Sequence, residues 1–219
     1  KNPRTAVREI PAGVISSRSA LGFIFLNCSL FILCAWLLNP LCFWLSPVSL
    51  LVILGSSYTK RLTYSCHFVL GLGLALAAIG AYLAVTAQWA LLPVLYGAVV
   101  LLWVAGFDII YALQDEGFDR EEALFSIPVR LGTVNALRLG RALHFLCASV
   151  LVIALSYQAQ QYPQVAWLSF LAGGLFLACL VYQHSLVKPG DLSQINLAFF
   201  TTNGVASLVF GGLCILDIY

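Results

Sequence analysis

Residues 19–38 read SALGFIFLNCSLFILCAWLL, twenty positions without a single charged side chain. An α-helix needs about 20 apolar residues to cross the hydrocarbon core of a bilayer. The rest of the chain has the same character, since 61% of its 219 residues are hydrophobic, only 9% are charged, and the mean hydropathy is +0.95. Soluble domains carry roughly 25% charged residues. This composition therefore excludes soluble, disordered and collagen-like proteins, and it predicts that most of the surface faces lipid.

The first run ends at Asn39-Pro40, a turn signal, and six further apolar runs follow it. They cover residues 41–57, 66–85, 89–112, 142–157 (with a helical extension upstream to 134), 165–187 and 196–216. The runs are too long for the strands of a membrane barrel and show no two-residue alternation, so helices are predicted. We expect an all-α membrane protein, a bundle of seven spans that forms one transmembrane domain over residues 1–219.

The positive charges give an independent test of this helix count. If the seven spans alternate in direction, all eleven Lys and Arg residues fall on one side of the membrane. They are Lys1, Arg4, Arg8, Arg18, Lys60, Arg61, Arg120, Arg130, Arg138, Arg141 and Lys188. The positive-inside rule makes that side cytoplasmic, with the N-terminus inside and the C-terminus outside. A net charge of only +2 argues against a nucleic-acid partner.

Six of the nine acidic residues lie within positions 108–122, at the predicted cytoplasmic end of the fourth span. At about 100° per residue, Asp108, Asp115 and Asp119 share one stripe of a helix. A straight helix would spread them over about 16 Å, so Asp115 and Asp119 are the better metal pair, and we expect a bend at Gly117. Carboxylate ligands without nearby His or Cys suit Mg²⁺. The three aspartates are therefore the predicted metal ligands, and the neighbouring glutamates are expected to face water.

Cations on the same predicted face supply the opposite charge. Lys60 and Arg61 are adjacent, and Arg4 and Arg8 are four residues apart, on one face if that stretch is helical. Arginine matches phosphate oxygens in pairs, while lysine offers a mobile point charge. For any single cation, ordinary positive-inside topology is the alternative explanation. Together with the aspartates, the four cations predict a diphosphate site.

The remaining reactive residue types are expected to be structural. The seven cysteines form no C-x-x-C pair and behave as small apolar residues. His67, His144 and His184 lie near predicted cytoplasmic helix ends, where each is expected to be a hydrogen-bonded structural residue rather than a catalytic one.

Several segments resemble one family, the UbiA superfamily of intramembrane prenyltransferases. The pattern Asp108-x-x-Tyr111-Ala112-x-x-Asp115-x-x-x-Asp119 resembles its second aspartate-rich motif. Lys60-Arg61-x-Thr63 is similar to a Lys-Arg-x-Thr segment of the family, and residues 126–132 (SIPVRLG) fit the segment after the second motif. The stretch around Arg4 and Arg8 is similar to the sequence that follows the first motif.

The resemblance implies a nine-helix fold and a reaction. The implied reaction is Mg²⁺-dependent transfer of a polyprenyl group from its diphosphate to a small aromatic acceptor in quinone biosynthesis, on the cytoplasmic side of a bacterial inner membrane. It also implies that two helices and a first motif of the form N-D-x-x-D-x-x-x-D precede Lys1, so the chain is expected to be N-terminally incomplete.

Residue roles follow from the same resemblance. Asp108, Tyr111, Lys60 and Arg61 are the expected catalytic residues, with Tyr111 near the allylic cation or orienting Asp115. Arg4, Arg8, Lys60 and Arg61 would bind the diphosphate.

Three alternatives compete with this function. A non-enzymatic transporter that uses its carboxylates for ion coupling would place charges near the bilayer midplane and show inverted repeats, and neither feature is visible in the sequence. A membrane phosphatidyl-alcohol transferase would carry the pattern D-x-x-D-G-x-x-A-R, which is missing. An inactive piece of the prenyltransferase is the third alternative.

Overall fold

A computed structural model describes residues 5–165 and 167–218, and within them the chain is helical. The α-helices are α1 (Ser17–Leu38), α2 (Pro40–Thr59), α3 (Cys66–Thr86), α4 (Leu91–Tyr111), α5 (Glu116–Glu121), α6 (Ile127–Gln161), α7 (Trp167–Leu186) and α8 (Asn203–Leu216). Among the described residues, seven helical segments are long and apolar enough to cross a membrane, with α4 and α5 forming one of them. The predicted all-α bundle of seven spans is confirmed.

Several span boundaries differ from the prediction by a few residues, and two of these differences have clear local reasons. The first span begins at Ser17 because the Ser16 hydroxyl caps α1 by accepting the Ser19 N–H at 3.1 Å, so Arg18 lies inside the first turn. The α6 helix begins at Ile127 instead of residue 134, since Pro128 suits a first helical turn. Gly132 interrupts α6 at φ +73°, a left-handed conformation that glycine adopts readily.

The core lies around α4, which packs against α3 on one side and α6 on the other. At Gly71 of α3 an added Cβ would meet the Leu101 carbonyl oxygen of α4 at 2.6 Å, so glycine lets the two backbones touch. Ala105 and Ile109 of α4 are fully buried. By contrast, Ala35 is the sole buried residue of α1. The end of α4, which bears the first of the three aspartates, therefore lies at the centre of the bundle.

The connection between α1 and α2 confirms the predicted turn at Asn39. The Asn39 carboxamide oxygen accepts the Cys42 N–H at 2.9 Å and caps α2. Its nitrogen donates to the Leu83 carbonyl at 2.9 Å, near the end of α3. The Asn39 backbone N–H also donates to the Ala35 carbonyl of α1, so this one residue ties three helix ends together at the side opposite the aspartates.

Candidate active site

The aspartate segment changes its winding where α4 ends. A 3₁₀ turn, Ala112–Asp115, separates α4 from α5. The predicted bend at Gly117 is wrong, because Gly117 lies inside α5 and the break precedes it. A 3₁₀ turn advances about 120° per residue instead of about 100°, so four residues turn the following side chains by roughly 80°. Asp115 and Asp119 are buried with 8% and 1% of their surface exposed.

Asp119 pairs with Lys60 at the end of α2. The Lys60 Nζ atom lies 2.7 Å from Oδ2 of Asp119, and 32% of the lysine side chain is exposed. Backbone bonds hold the two residues in place: the Phe125 N–H donates to the Lys60 carbonyl at 2.7 Å, and the Leu124 N–H donates to the Asp119 carbonyl at 2.8 Å. The structure therefore brings one of the predicted cations, Lys60, into contact with one of the predicted aspartates, Asp119.

Asp108 pairs with a histidine instead. The His67 Nδ1 atom lies 2.7 Å from Oδ2 of Asp108, and the Ile127 N–H donates to His67 Nε2 at 3.3 Å. Because a backbone N–H can only donate, Nε2 carries no proton and Nδ1 donates to the carboxylate. His67 is 2% exposed and ties α3, α4 and α6 together. It is a hydrogen-bonded structural histidine, as predicted, and it fixes the orientation of Asp108.

The other two histidines bond to each other. His144 Nε2 donates to the Trp103 carbonyl at 3.1 Å, and His184 Nε2 donates to His144 Nδ1 at 2.8 Å. The ring of His144 lies against Gly106 of α4, where an added Cβ would meet it at 2.4 Å. Both histidines are thus hydrogen-bonded, as predicted, and their purely structural role stays a prediction.

Some buried oxygen atoms beside the Lys60 contact have no hydrogen-bond partner within the described residues. They include Oδ1 of Asp119 and Oγ of Ser126, whose residues are 1% and 0% exposed. Buried polar groups are nearly always hydrogen-bonded, so exceptions mark places where a water, an ion or a ligand is expected. The contact between α2, α5 and the start of α6 is such a place.

Tyr111 lies in a cluster of aromatic rings. Its ring stacks on Phe199 at a centroid distance of 3.9 Å and an angle of 26°, and Phe200 meets it edge-on at 5.8 Å. Phe107 lies one turn before Tyr111 in α4, and its ring centroid is 5.2 Å from that of Phe199. Neither Phe199 nor Phe200 is among the residues predicted from the sequence. The signal was the polar group Thr201-Thr202-Asn203 directly after them, inside an otherwise apolar span.

Two of the other predicted cations, Arg8 and Arg61, do not contact the aspartates in the part of the chain that the structure describes. Arg61 and Arg8 are exposed, and their side chains make no hydrogen bond or ion pair within the described part of the chain. Residues 5–15 form turns rather than a helix, so the helical face expected for Arg4 and Arg8 is not seen there. Arg4 itself lies outside the described residues.

The three aspartates do not converge on one point. Over residues 5–165 and 167–218, no group of three His, Cys, Asp or Glu side chains could hold a metal ion. Mg²⁺ is commonly held by one or two carboxylates together with phosphate oxygens. The buried, unbonded oxygen of Asp119 fits that requirement, and the assignment of Asp108, Asp115 and Asp119 as ligands stays a prediction.

Comparison with known proteins agrees with this geometry. The profile of the UbiA prenyltransferase family matches residues 1–205. The chain belongs to the UbiA prenyltransferase family. The predicted class of enzyme, an aromatic prenyltransferase, is confirmed through that membership and the names of its relatives.

Curated relatives are longer than this chain. It is 31% identical over 211 residues to a 4-hydroxybenzoate octaprenyltransferase of Aliivibrio fischeri, covering 94% of this chain and 70% of the relative. It is 28% identical to a protein of the same name from Photobacterium profundum, covering 97% and 72%. The apo structure of a UbiA homolog from Aeropyrum pernix K1 superposes with a TM-score of 0.88 at 29% identity, over 100% of this chain and 79% of that one.

Proposed function

We propose that the protein transfers a polyprenyl group from its diphosphate to a 4-hydroxybenzoate-like aromatic acid in quinone biosynthesis, with Mg²⁺ at the aspartates. The observation that carries the proposal is the buried Asp119, which is paired with Lys60 on one oxygen and has no hydrogen bond on the other within the described residues. The names of the relatives supply the substrate class.

The diphosphate end of the donor would bind beside Asp119. Lys60 is one-third exposed, so its ammonium group can turn from the carboxylate to a phosphate oxygen without unfolding its surroundings. Asp115 and Asp119 would hold the metal, with Asp108 kept in place by His67. Mg²⁺ bound there would neutralise negative charge on the departing diphosphate. Arg61, and Arg4 and Arg8 if they close over the site, would add positive charge to the same group.

The carbon chemistry would take place next to the aromatic rings. The allylic C–O bond breaks and its electron pair leaves with the diphosphate. The ring carbon beside the phenol oxygen attacks the allylic carbon, and a ring proton is then lost. The faces of Tyr111 and Phe199 carry negative charge density that stabilises a nearby cation. Tyr111 is therefore the residue proposed to face the allylic cation.

An apolar cavity begins behind these rings and suits the prenyl chain. It has a volume of about 210 Å³ between α4, α6, α7 and α8. Its lining includes Tyr96, Trp103, Leu151, Phe176 and Phe210. Trp103, which lines the cavity, is in edge contact with Phe107 at 5.5 Å, so the cavity lies next to the aromatic cluster around Tyr111. We propose that the first part of the chain lies here, with the diphosphate on the cytoplasmic side that the positive-inside rule assigns.

The acceptor class can be tested by supplying two aromatic acids in separate reactions. Membranes containing the protein are supplied with a labelled polyprenyl diphosphate, Mg²⁺ and either 4-hydroxybenzoate or benzoate. Only 4-hydroxybenzoate should be prenylated, because the phenol oxygen makes the ring electron-rich. Equal labelling of benzoate, or none of either ring by a protein that still hydrolyses the donor, would contradict the proposed acceptor.

A further inference from the structure

The last span opens with an irregular turn. Residues Leu197–Thr202 form a π-helical turn, which α8 then continues. Such turns hold one extra residue in a helix, are rare, and occur frequently at functional sites. The Thr202 hydroxyl donates to the Leu197 carbonyl at 3.1 Å and so stabilises the widened turn from within.

Two other helices hold the ends of this turn. At its start, Gln183 Nε2 of α7 donates to the Ala198 carbonyl at 3.1 Å. Just after its end, Trp103 Nε1 of α4 donates to the Asn203 side-chain oxygen at 3.2 Å. Gln183 is 1% exposed, and its own oxygen accepts no hydrogen bond from any described residue. Burying an amide oxygen without a hydrogen bond is unfavourable. The only favourable hydrogen bond seen for the buried Gln183 side chain among the described residues is the one from its nitrogen to the Ala198 carbonyl.

The extra residue determines where the aromatic rings point. One residue more or less rotates a helix by about 100°. With Asn203 fixed on Trp103, a regular helix would turn Phe199 away from Tyr111. The π-turn satisfies both contacts, and the Phe199 ring stacks on Tyr111 at 3.9 Å.

We propose that Gln183 is a positioning residue for Tyr111, acting through the Ala198 carbonyl and the stacked ring of Phe199. The inference rests on the proposed place of Tyr111 beside the allylic cation. Without the bond to Ala198, Phe199 is no longer held against Tyr111, and the aromatic face moves off the cation. Water then competes with the aromatic ring: its oxygen bonds to the allylic carbon, a proton is lost, and prenyl alcohol forms with free diphosphate. The fraction of prenyl alcohol therefore reports the position of Tyr111.

A double-mutant cycle tests the coupling in the protein expressed from its complete coding sequence. Gln183→Leu, Tyr111→Leu and the double variant are compared for kcat of transfer and for the ratio of prenyl alcohol to prenylated acceptor. Each single change should lower kcat by about tenfold, since small misplacements near reacting atoms have effects of this order or larger. The double variant should be no worse than Tyr111→Leu alone. Multiplied effects in the double variant would overturn the proposal, because independent sites contribute additively in free energy.

Gln158→Leu is the matched control. Gln158 is half-buried and bonds through both amide atoms, to the Tyr96 hydroxyl and the Ser169 hydroxyl, at the opposite end of the bundle. This change should lower the Tm and leave the alcohol ratio unchanged. An equal rise of the alcohol ratio in Gln158→Leu would show general loosening and would overturn the role of Gln183.

A second variant covers the case in which Gln183→Leu fails to fold. Thr202→Val keeps the side-chain shape and removes only the bond to the Leu197 carbonyl. It is combined with Tyr111→Leu in the same kind of double-mutant cycle.

The measurements distinguish failure of the proposed function from failure of this inference. If Tyr111→Leu changes neither kcat nor the alcohol ratio, both are overturned; if it impairs transfer but the cycle is additive, only the role of Gln183 is.

Discussion

The Lys60 ammonium group lies 2.7 Å from the carboxylate of Asp119, across the gap between the end of α2 and α5. The aspartate is 1% exposed and the lysine 32%, so the pair joins a buried charge to one that reaches the surface. Removing one partner of a buried pair is strongly destabilising, because the other charge is left without compensation. The pair therefore has a structural role in addition to the proposed contact with diphosphate.

Replacing Lys60 should affect both stability and donor binding. Lys60→Met leaves the Asp119 carboxylate buried without its partner, and we expect a loss of about 3 kcal/mol in the free energy of unfolding. Affinity for prenyl diphosphate should fall, while affinity for the aromatic acceptor should change little. Thermal unfolding in detergent and separate titrations of the two substrates measure these effects.

Arg61→Met is the control for this change. Arg61 is exposed, and its side chain makes no hydrogen bond or ion pair within the described residues, so its removal should alter stability by less than about 0.5 kcal/mol. A Lys60→Met protein whose acceptor affinity alone changes would disprove the role given to Lys60.

Two glycines near the site should respond in opposite ways to alanine. At Gly106 the new methyl group would meet the buried His144 ring at 2.4 Å, and overpacking of this kind costs about 1–3 kcal/mol. At Gly117, which is exposed inside α5, nothing lies within 4 Å of the new atom, and alanine should stabilise the helix by up to about 1 kcal/mol.

The measurement is the Tm of Gly106→Ala and Gly117→Ala, purified side by side. A Gly117→Ala protein that loses stability would mean that α5 needs flexibility at this position, contrary to the observed helix.

His67 should be essential for holding Asp108. In His67→Leu the half-buried Asp108 carboxylate and the buried Ile127 N–H both lose their partner, and an unsatisfied buried group costs about 1–3 kcal/mol. The protein should unfold at lower temperature and transfer prenyl groups more slowly, because Asp108 is no longer oriented. His184 lies on the far side of α4. His184→Leu should lower Tm but leave the rate of prenyl transfer per folded protein unchanged. Equal specific activities for folded His67→Leu and wild-type protein would refute this role.

Most of the fold follows from the sequence because lipid imposes a simple rule. A segment that crosses the bilayer must satisfy its backbone internally and exclude charge, so uncharged runs of the right length locate the helices. Asn39 before Pro40 marked the turn between α1 and α2, and its side chain caps α2 as such a residue should. The opposite charges of Lys60 and Asp119 were also visible, since charged residues in so apolar a chain are few.

The parts that the sequence did not predict depend on contacts between distant helices. His67 looked like a structural histidine, and it is one, but its partner Asp108 lies 41 residues away and no local pattern links them. The π-turn at Leu197–Thr202 needs Gln183 and Trp103 from two other helices to hold it. A periodicity of about 3.6 residues cannot reveal an inserted residue whose stabilising bonds come from elsewhere.

In the proposed mechanism, Asp115 and Asp119 hold the Mg²⁺ that prenyl transfer requires. The direct test measures prenyl transfer from a polyprenyl diphosphate to 4-hydroxybenzoate as a function of Mg²⁺ concentration. The protein is expressed from its complete coding sequence as wild type, Asp115→Asn and Asp119→Asn, and Glu121→Gln is the control. Wild type and Glu121→Gln should require Mg²⁺ and lose activity with a chelator. The two asparagine variants should remain folded and fall by at least about a hundredfold, a loss typical of removing groups that stabilise transition-state charge. Normal turnover of either variant at ordinary Mg²⁺, or full wild-type activity in the presence of chelator, would contradict the account.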